Sequence, residues 1–156
     1  MPSLNDPALV YDIALSLVPG VGCHLSKQLI SYCGSAELVF TTKKGKLLQI
    51  PGVGEGVANA IISNTVLLEA QNQLALCEKN NVKILPYTHH DYPRRLKNVY
   101  DSPSLLYYRG NGDLNNDKVL SIVGTRNATE YGKTFVEQLV AELAQRHPNI
   151  LALCGI

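Results

Sequence analysis

Chemistry in this chain, if any, centres on glycine-flanked turns that could hold an oxyanion. Gly124-Thr125-Arg126-Asn127-Ala128-Thr129-Glu130-Tyr131-Gly132 lies between an apolar run and an amphipathic stretch. Two further turns repeat each other: Val18-Pro19-Gly20-Val21-Gly22 returns as Ile50-Pro51-Gly52-Val53-Gly54, an offset of 32 residues. Glycine suits such turns because it reaches positive φ and lets another backbone approach. Free amides at the start of the following helix then favour an anion.

The three turns differ in what stands beside them. After the first repeat comes Lys27, which makes Gly20, Gly22 and Lys27 a candidate phosphate group; the second repeat has Asn59 at that place and Glu55 beside the turn. Glu55 repels a phosphate, so the second turn is the weaker candidate. In the third turn, a dinucleotide fingerprint requires Gly at 124, 126 and 129, but the residues are Gly124, Arg126 and Thr129. A guanidinium where pyrophosphate should touch bare backbone disfavours NAD, and no cofactor is expected. A side-chain fork aimed at a phosphodiester fits better, which gives Gly124, Thr125, Arg126 and Thr129 as nucleic-acid-binding candidates.

The elements that would position these turns divide the chain into a helical part, 1–80, and an α/β part, 81–156. Asp6 with Pro7 is a helix start, and Val10, Ile13, Ala14 and Leu17 follow a helical stripe. Leu25, Leu29 and Ile30 align with Val57, Ile61 and Ile62 after the repeated turns, Ser35 caps a short helix, and Thr65–Lys79 forms a longer one. These features predict a paired helix-hairpin-helix domain; packing alone is the competing role for its turns. Strands are expected at Val82–Leu85, Leu105–Arg109, Val119–Val123 and Asn149–Leu153, with a helix from Thr129 to Arg146 carrying Val136, Leu139, Val140 and Leu143 on one face. The run Val119–Val123 reads as a parallel strand covered on both faces, so this part is expected to open a doubly wound parallel sheet.

Composition narrows the function. The 156 residues are 46% hydrophobic and 17% charged with net charge +1, so a globular core is expected and a broadly basic nucleic-acid-binding field is excluded. No apolar run is long enough for a membrane span, and the N-terminus lacks a secretory pattern. Cys23, Cys33, Cys77 and Cys154 lack metal-binding spacing, so a reduced, cytoplasmic chain without a structural metal is expected. Adjacent His89 and His90 would point apart in an extended segment, which argues against a metal pair.

The two parts together resemble the DNA-processing protein DprA (Smf) family. The resemblance rests on the repeated turns, Tyr92-Pro93-Arg94-Arg95-Leu96, Ser102-Pro103-Ser104-Leu105-Leu106-Tyr107-Tyr108-Arg109-Gly110 and Val123-Gly124-Thr125-Arg126 to Tyr131-Gly132. It implies a sterile-alpha-motif-like helical domain followed by a Rossmann-like domain that dimerises. It also implies binding and protection of single-stranded DNA and loading of the RecA recombinase in natural transformation, with Arg126 in the DNA pocket and no catalysis. Against the family pattern, Cys154 replaces a Ser, and the chain stops inside a second glycine-rich strand end, so a truncated sheet domain is expected. The competing functions are a structural or duplex-DNA-binding helical module and a nucleotide-handling Rossmann enzyme.

Overall fold

Asp6 starts the first helix, α1 (Ala8–Leu17), by accepting the Ala8 N–H on its carboxylate at 2.9 Å and the Leu9 N–H on its carbonyl at 3.0 Å. The computed structural model describes residues 6, 8–125, 127–147 and 150–155, with side chains through 151, so Pro7 of the expected start lies outside the described residues. Ile13, Ala14 and Leu15 of α1 are fully buried, and Val10 and Leu17 pack beside them. Helices α2 (Cys23–Cys33), α3 (Ala36–Thr41), α4 (Lys44–Leu47), α5 (Glu55–Ile62) and α6 (Leu67–Lys79) follow. Gly34 ends α2 at φ 102°, and its N–H donates to Ile30 at 2.7 Å. Ser35 opens α3 by accepting the Leu38 N–H at 3.1 Å. Leu29, Val39, Leu47 and Ile61, one from each of α2 to α5, have no exposed surface and form the centre of the core. Each buries about 1.5–3 kcal/mol of transfer free energy.

The strand pair β1 (Lys83–Pro86) and β2 (Leu105–Tyr108) is antiparallel, with Ile84 opposite Tyr107 and Leu85 opposite Leu106. Ile84 and Leu85 are buried, and the pair packs against α1 and α6. The chain accordingly divides into compact units at Met1–Gly110 and Asn111–Ile156, later than the expected division after residue 80. The physical reason is cover: a two-stranded ribbon cannot bury its own apolar face, and here helices supply that cover. The same fact corrects the expectation that these strands belong to a parallel sheet, since they form an antiparallel sheet of their own.

The second unit contains β3 (Val119–Val123), α8 (Glu130–Arg146) and β4 (Leu151–Gly155). Strands β3 and β4 are parallel, in register from Val119 opposite Leu151 to Val123 opposite Gly155. Asn149, the expected start of the last strand, lies outside the described residues. Expected burial on both faces of β3 is not observed: Leu120 and Ile122 are half-buried and Val123 is 86% exposed. No described residue of α8 is buried; Val136, Leu139 and Leu143 are half-buried and Val140 is exposed. A single helix and two strands, the described elements of this unit, are too few to close two apolar layers. Among the described residues no helix is long and apolar enough to cross a membrane.

Candidate nucleic-acid interface

Residues 124–129 join the carboxyl end of β3 to the N-terminus of α8. Thr129 caps α8 by accepting the Gly132 N–H on its hydroxyl at 3.2 Å, as its position in sequence suggests. Thr125 donates its hydroxyl to the Asn127 carbonyl at 3.1 Å and stiffens the turn. Gly124, Thr125 and Thr129 are exposed and share this strand-to-helix corner; Arg126 lies outside the described residues. The acid beside the cap is offset, because Lys133 donates to the Glu130 carboxylate at 2.7 Å. Two aromatic rings also flank the corner: Tyr131 and Phe135 stack at 6.3 Å and are 79% and 52% exposed. The signal for this pair in the sequence is its i, i+4 aromatic spacing on a helix, which marks side chains that meet.

The repeated turns have nearly identical backbones. Gly20 and Gly52 both take φ 83°, and the Val21 and Val53 N–H groups each donate at 3.1 Å to the residue three earlier. Gly22 and Gly54 precede α2 and α5 in extended conformation. A Cβ on Gly20 would stand 3.1 Å from Val57, and one on Gly52 would stand 3.5 Å from Leu25. Leu25 and Val57 occupy equivalent places in the two repeats, so each turn seats the helix that follows the other. Positive φ and this contact together explain the glycines at 20 and 52. At Gly22 an added Cβ would meet nothing within 4 Å, which leaves its edge open.

Side chains distinguish the two copies. Glu55 forms an ion pair with Lys44 beside the second turn. Lys27 reaches away from its own turn: its ammonium donates to the Ser102 hydroxyl at 2.6 Å and lies 6.0 Å from the Tyr87 ring centroid. Ser102 is 2% exposed, so this bond ties α2 to a segment 75 residues away. Nothing local in the sequence announces that tie.

The tethered segment carries α7 (Arg94–Lys97) and is anchored by Tyr92, which is fully buried and donates its hydroxyl to the Pro103 carbonyl at 2.6 Å. Lys97 lies 5.8 Å from the Tyr92 ring centroid. Burial raises the Tyr92 hydroxyl pKa above its ordinary value. Burial, and then the Asp12 carboxylate, do the same for Tyr87. Asp12 itself is pushed up to about 6, mainly by burial and then by Asp6.

The neighbouring histidines correct an expectation. His89 donates its backbone N–H to Pro86 at 2.8 Å and accepts that of Tyr92 at 3.2 Å, so the segment is a turn and is not extended. The His89 and His90 rings therefore lie 4.3 Å apart, and with Asp91 they bring ligand atoms within 4.8 Å of one another. The His89 Nδ1 already accepts the Asp91 N–H at 3.1 Å, so the cluster as it stands closes on itself.

Comparison with known proteins locates similarity over both units. Residues 83–153 match the family described as DNA recombination-mediator protein A. The chain is 35% identical over 74 residues to a DNA processing protein DprA of Bacillus subtilis, covering 47% of this chain and 25% of that protein. It is 28% identical over 139 residues to a Protein Smf of Synechocystis, covering 86% and 35%. Against a DNA processing protein DprA of Streptococcus pneumoniae it is 38% identical over 52 residues, covering 33% and 18%. The chain thus spans at most 35% of the length of these relatives.

Proposed function

We propose that this chain, which belongs to the DNA-processing protein DprA (Smf) family, binds single-stranded DNA as a recombination mediator. In this reading the first unit is a helix-hairpin-helix, sterile-alpha-motif-like domain, and the second is the opening of a Rossmann-like sheet. The protein protects incoming DNA in the cytoplasm and loads RecA during natural transformation, acting as a homodimer and without catalysis. The observation that carries the reading is the corner at 124–129, where Gly124, Thr125 and the capping Thr129 sit exposed between β3 and α8 inside the family match.

Chemistry at that corner follows from charge and geometry. Amides at the start of α8 carry partial positive charge and donate to a phosphate oxygen. Arg126 supplies a formal charge and two parallel donors for the same phosphodiester. Gly20 and Gly22 of the first repeated turn supply the second contact in this reading through backbone amides, while Lys27, bonded to Ser102, braces α2. The second turn, with Glu55 paired to Lys44, serves packing.

Titration with a labelled strand separates this function from its rivals. We expect oligothymidylate to bind more tightly than duplex DNA of equal length, with free nucleotides unable to compete. Preference for duplex would support the helical module as a duplex binder, and preference for free nucleotides would support a nucleotide-handling enzyme.

A further inference from the structure

The segment between Tyr92 and Pro103 is held more firmly than its exposed position suggests. Its two ends are joined by the Tyr92–Pro103 hydrogen bond, its floor is the buried Tyr92 ring, and Lys27 fastens Ser102 to α2. Turns fill the interval: Val99 donates to Leu96 at 3.0 Å and Ser102 donates to Val99 at 3.2 Å. On this base the Tyr100 ring stacks against His24 with centroids 5.1 Å apart and planes at 27°. Tyr100 is nevertheless 79% exposed, and His24 is also exposed. One turn of α7 places Arg94, Arg95 and Lys97 in the same segment, all exposed. Asp91, which faces His90 at 3.1 Å, and Asp101 oppose that charge, so the segment carries an excess of cations without being a broad basic field.

An exposed aromatic ring in the same short, ordered segment as three exposed cations matches the chemistry of a single-stranded nucleic acid, which offers base faces and a regularly charged backbone. Duplex DNA hides its base faces, and an acidic peptide has charges but no such faces. We propose that the Tyr100–His24 stack and the α7 cations form a nucleic-acid contact on the first unit, separate in sequence from residues 124–129. One unpaired base stacks on the open face of Tyr100 while Arg94, Arg95 and Lys97 attract the adjoining phosphates. The segment is already ordered by Tyr92 and Lys27, so little freedom is lost when the strand arrives.

This inference rests on the reading that the chain binds single-stranded DNA, and the test separates the two. The full chain, Tyr100→Ala, Tyr100→Phe and Arg126→Ala are titrated with oligothymidylate and with an abasic strand of equal length. Because Tyr100 is 79% exposed, its replacement leaves the fold intact. Tyr100→Ala should weaken oligothymidylate binding about five- to 150-fold, the span of one base–aromatic stack. Tyr100→Phe should stay within about two-fold, and the abasic strand should not distinguish Tyr100→Ala from the parent. A 5-iodouracil strand should photocrosslink to Tyr100 or His24. Unchanged binding by Tyr100→Ala, with binding lost in Arg126→Ala, would overturn this contact and leave the proposed function standing. No binding by the parent chain would overturn both. If polyglutamate displaced the strand and Tyr100→Ala weakened both ligands equally, the surface would be one for acidic peptides and the inference would fail.

Discussion

The two compact units are stabilised in different ways. In Met1–Gly110, helices and a strand pair enclose residues with no exposed surface, among them Ile13, Leu29, Val39 and Ile61. In Asn111–Ile156, no described side chain is buried, and order comes from the β3–β4 ladder, the Thr129 cap and hydrogen bonds within α8. A packed core tolerates little change in volume, whereas a unit held by backbone bonds tolerates side-chain change and opens more readily. The proposed DNA corner lies in the second kind of unit. The Tyr100 surface lies in the first, on a segment fixed by the part-buried Tyr92–Pro103 and Lys27–Ser102 bonds.

Where the chain is cut tests this contrast most severely. Ending it at Asn80 removes Ile84 from the helical core, together with the buried Leu85 beside it on the strand, whereas ending it at Gly110 keeps the strand pair. The shorter protein should lose about 3–6 kcal/mol, two buried aliphatic side chains at about 1.5–3 kcal/mol each. Circular-dichroism melts should show a cooperative transition for residues 1–110 and a weaker or broader one for 1–80. Equal melting of both would return the boundary to residue 80.

Core substitutions sharpen the same contrast. Leu29→Ala should cost about 2–5 kcal/mol in urea unfolding, because Leu29 is fully enclosed. Leu139→Ala, at a half-buried site on α8, should cost less than about 1.5 kcal/mol, a fraction of the full-burial transfer term. A cost at Leu139 equal to that at Leu29 would show a second closed core.

Asp12 adds a pH-dependent effect confined to the first unit. With its pKa raised from 3.8 to about 6, the folded protein binds the extra proton between these values. The Asp12 contribution to stability is therefore greatest below about pH 4, declines as pH rises towards 6, and remains lower above that. Asp12→Asn should abolish this decline and gain up to about 3 kcal/mol at pH 7, the energy of a two-unit shift. Comparing unfolding of the parent and variant from pH 4 to 8 reads the difference; a constant offset across that range would contradict it.

Local structure follows local signals. Asp6, Ser35 and Thr129 cap helices as their types and positions suggest, and the duplicated glycines reappear as matched turns with φ 83°. What escaped sequence reading depends on distant partners. Lys27 looks like a phosphate ligand four residues into its helix, but the hydroxyl that holds it lies at position 102. Val82–Leu85 and Leu105–Arg109 looked like the start of a sheet domain because a strand's pattern does not specify which helices will cover it. Adjacent histidines read as extended from sequence alone, but the Pro86–His89 hydrogen bond folds His89 and His90 into a turn.

The most direct test of the central claim is salt-dependent titration of oligothymidylate with the parent chain, Arg126→Ala and Arg126→Lys. Arg126→Ala should weaken binding by about 1.5–3 kcal/mol, the scale of a charge-assisted hydrogen bond. Arg126→Lys should restore part of the loss, since a point charge cannot reproduce the guanidinium fork. Affinity of the parent should fall with added salt, more steeply than that of Arg126→Ala, as one fewer phosphate is neutralised in the variant. Equal affinities and equal salt slopes for the parent and Arg126→Ala would contradict the assignment of residues 124–129 as the DNA-binding corner.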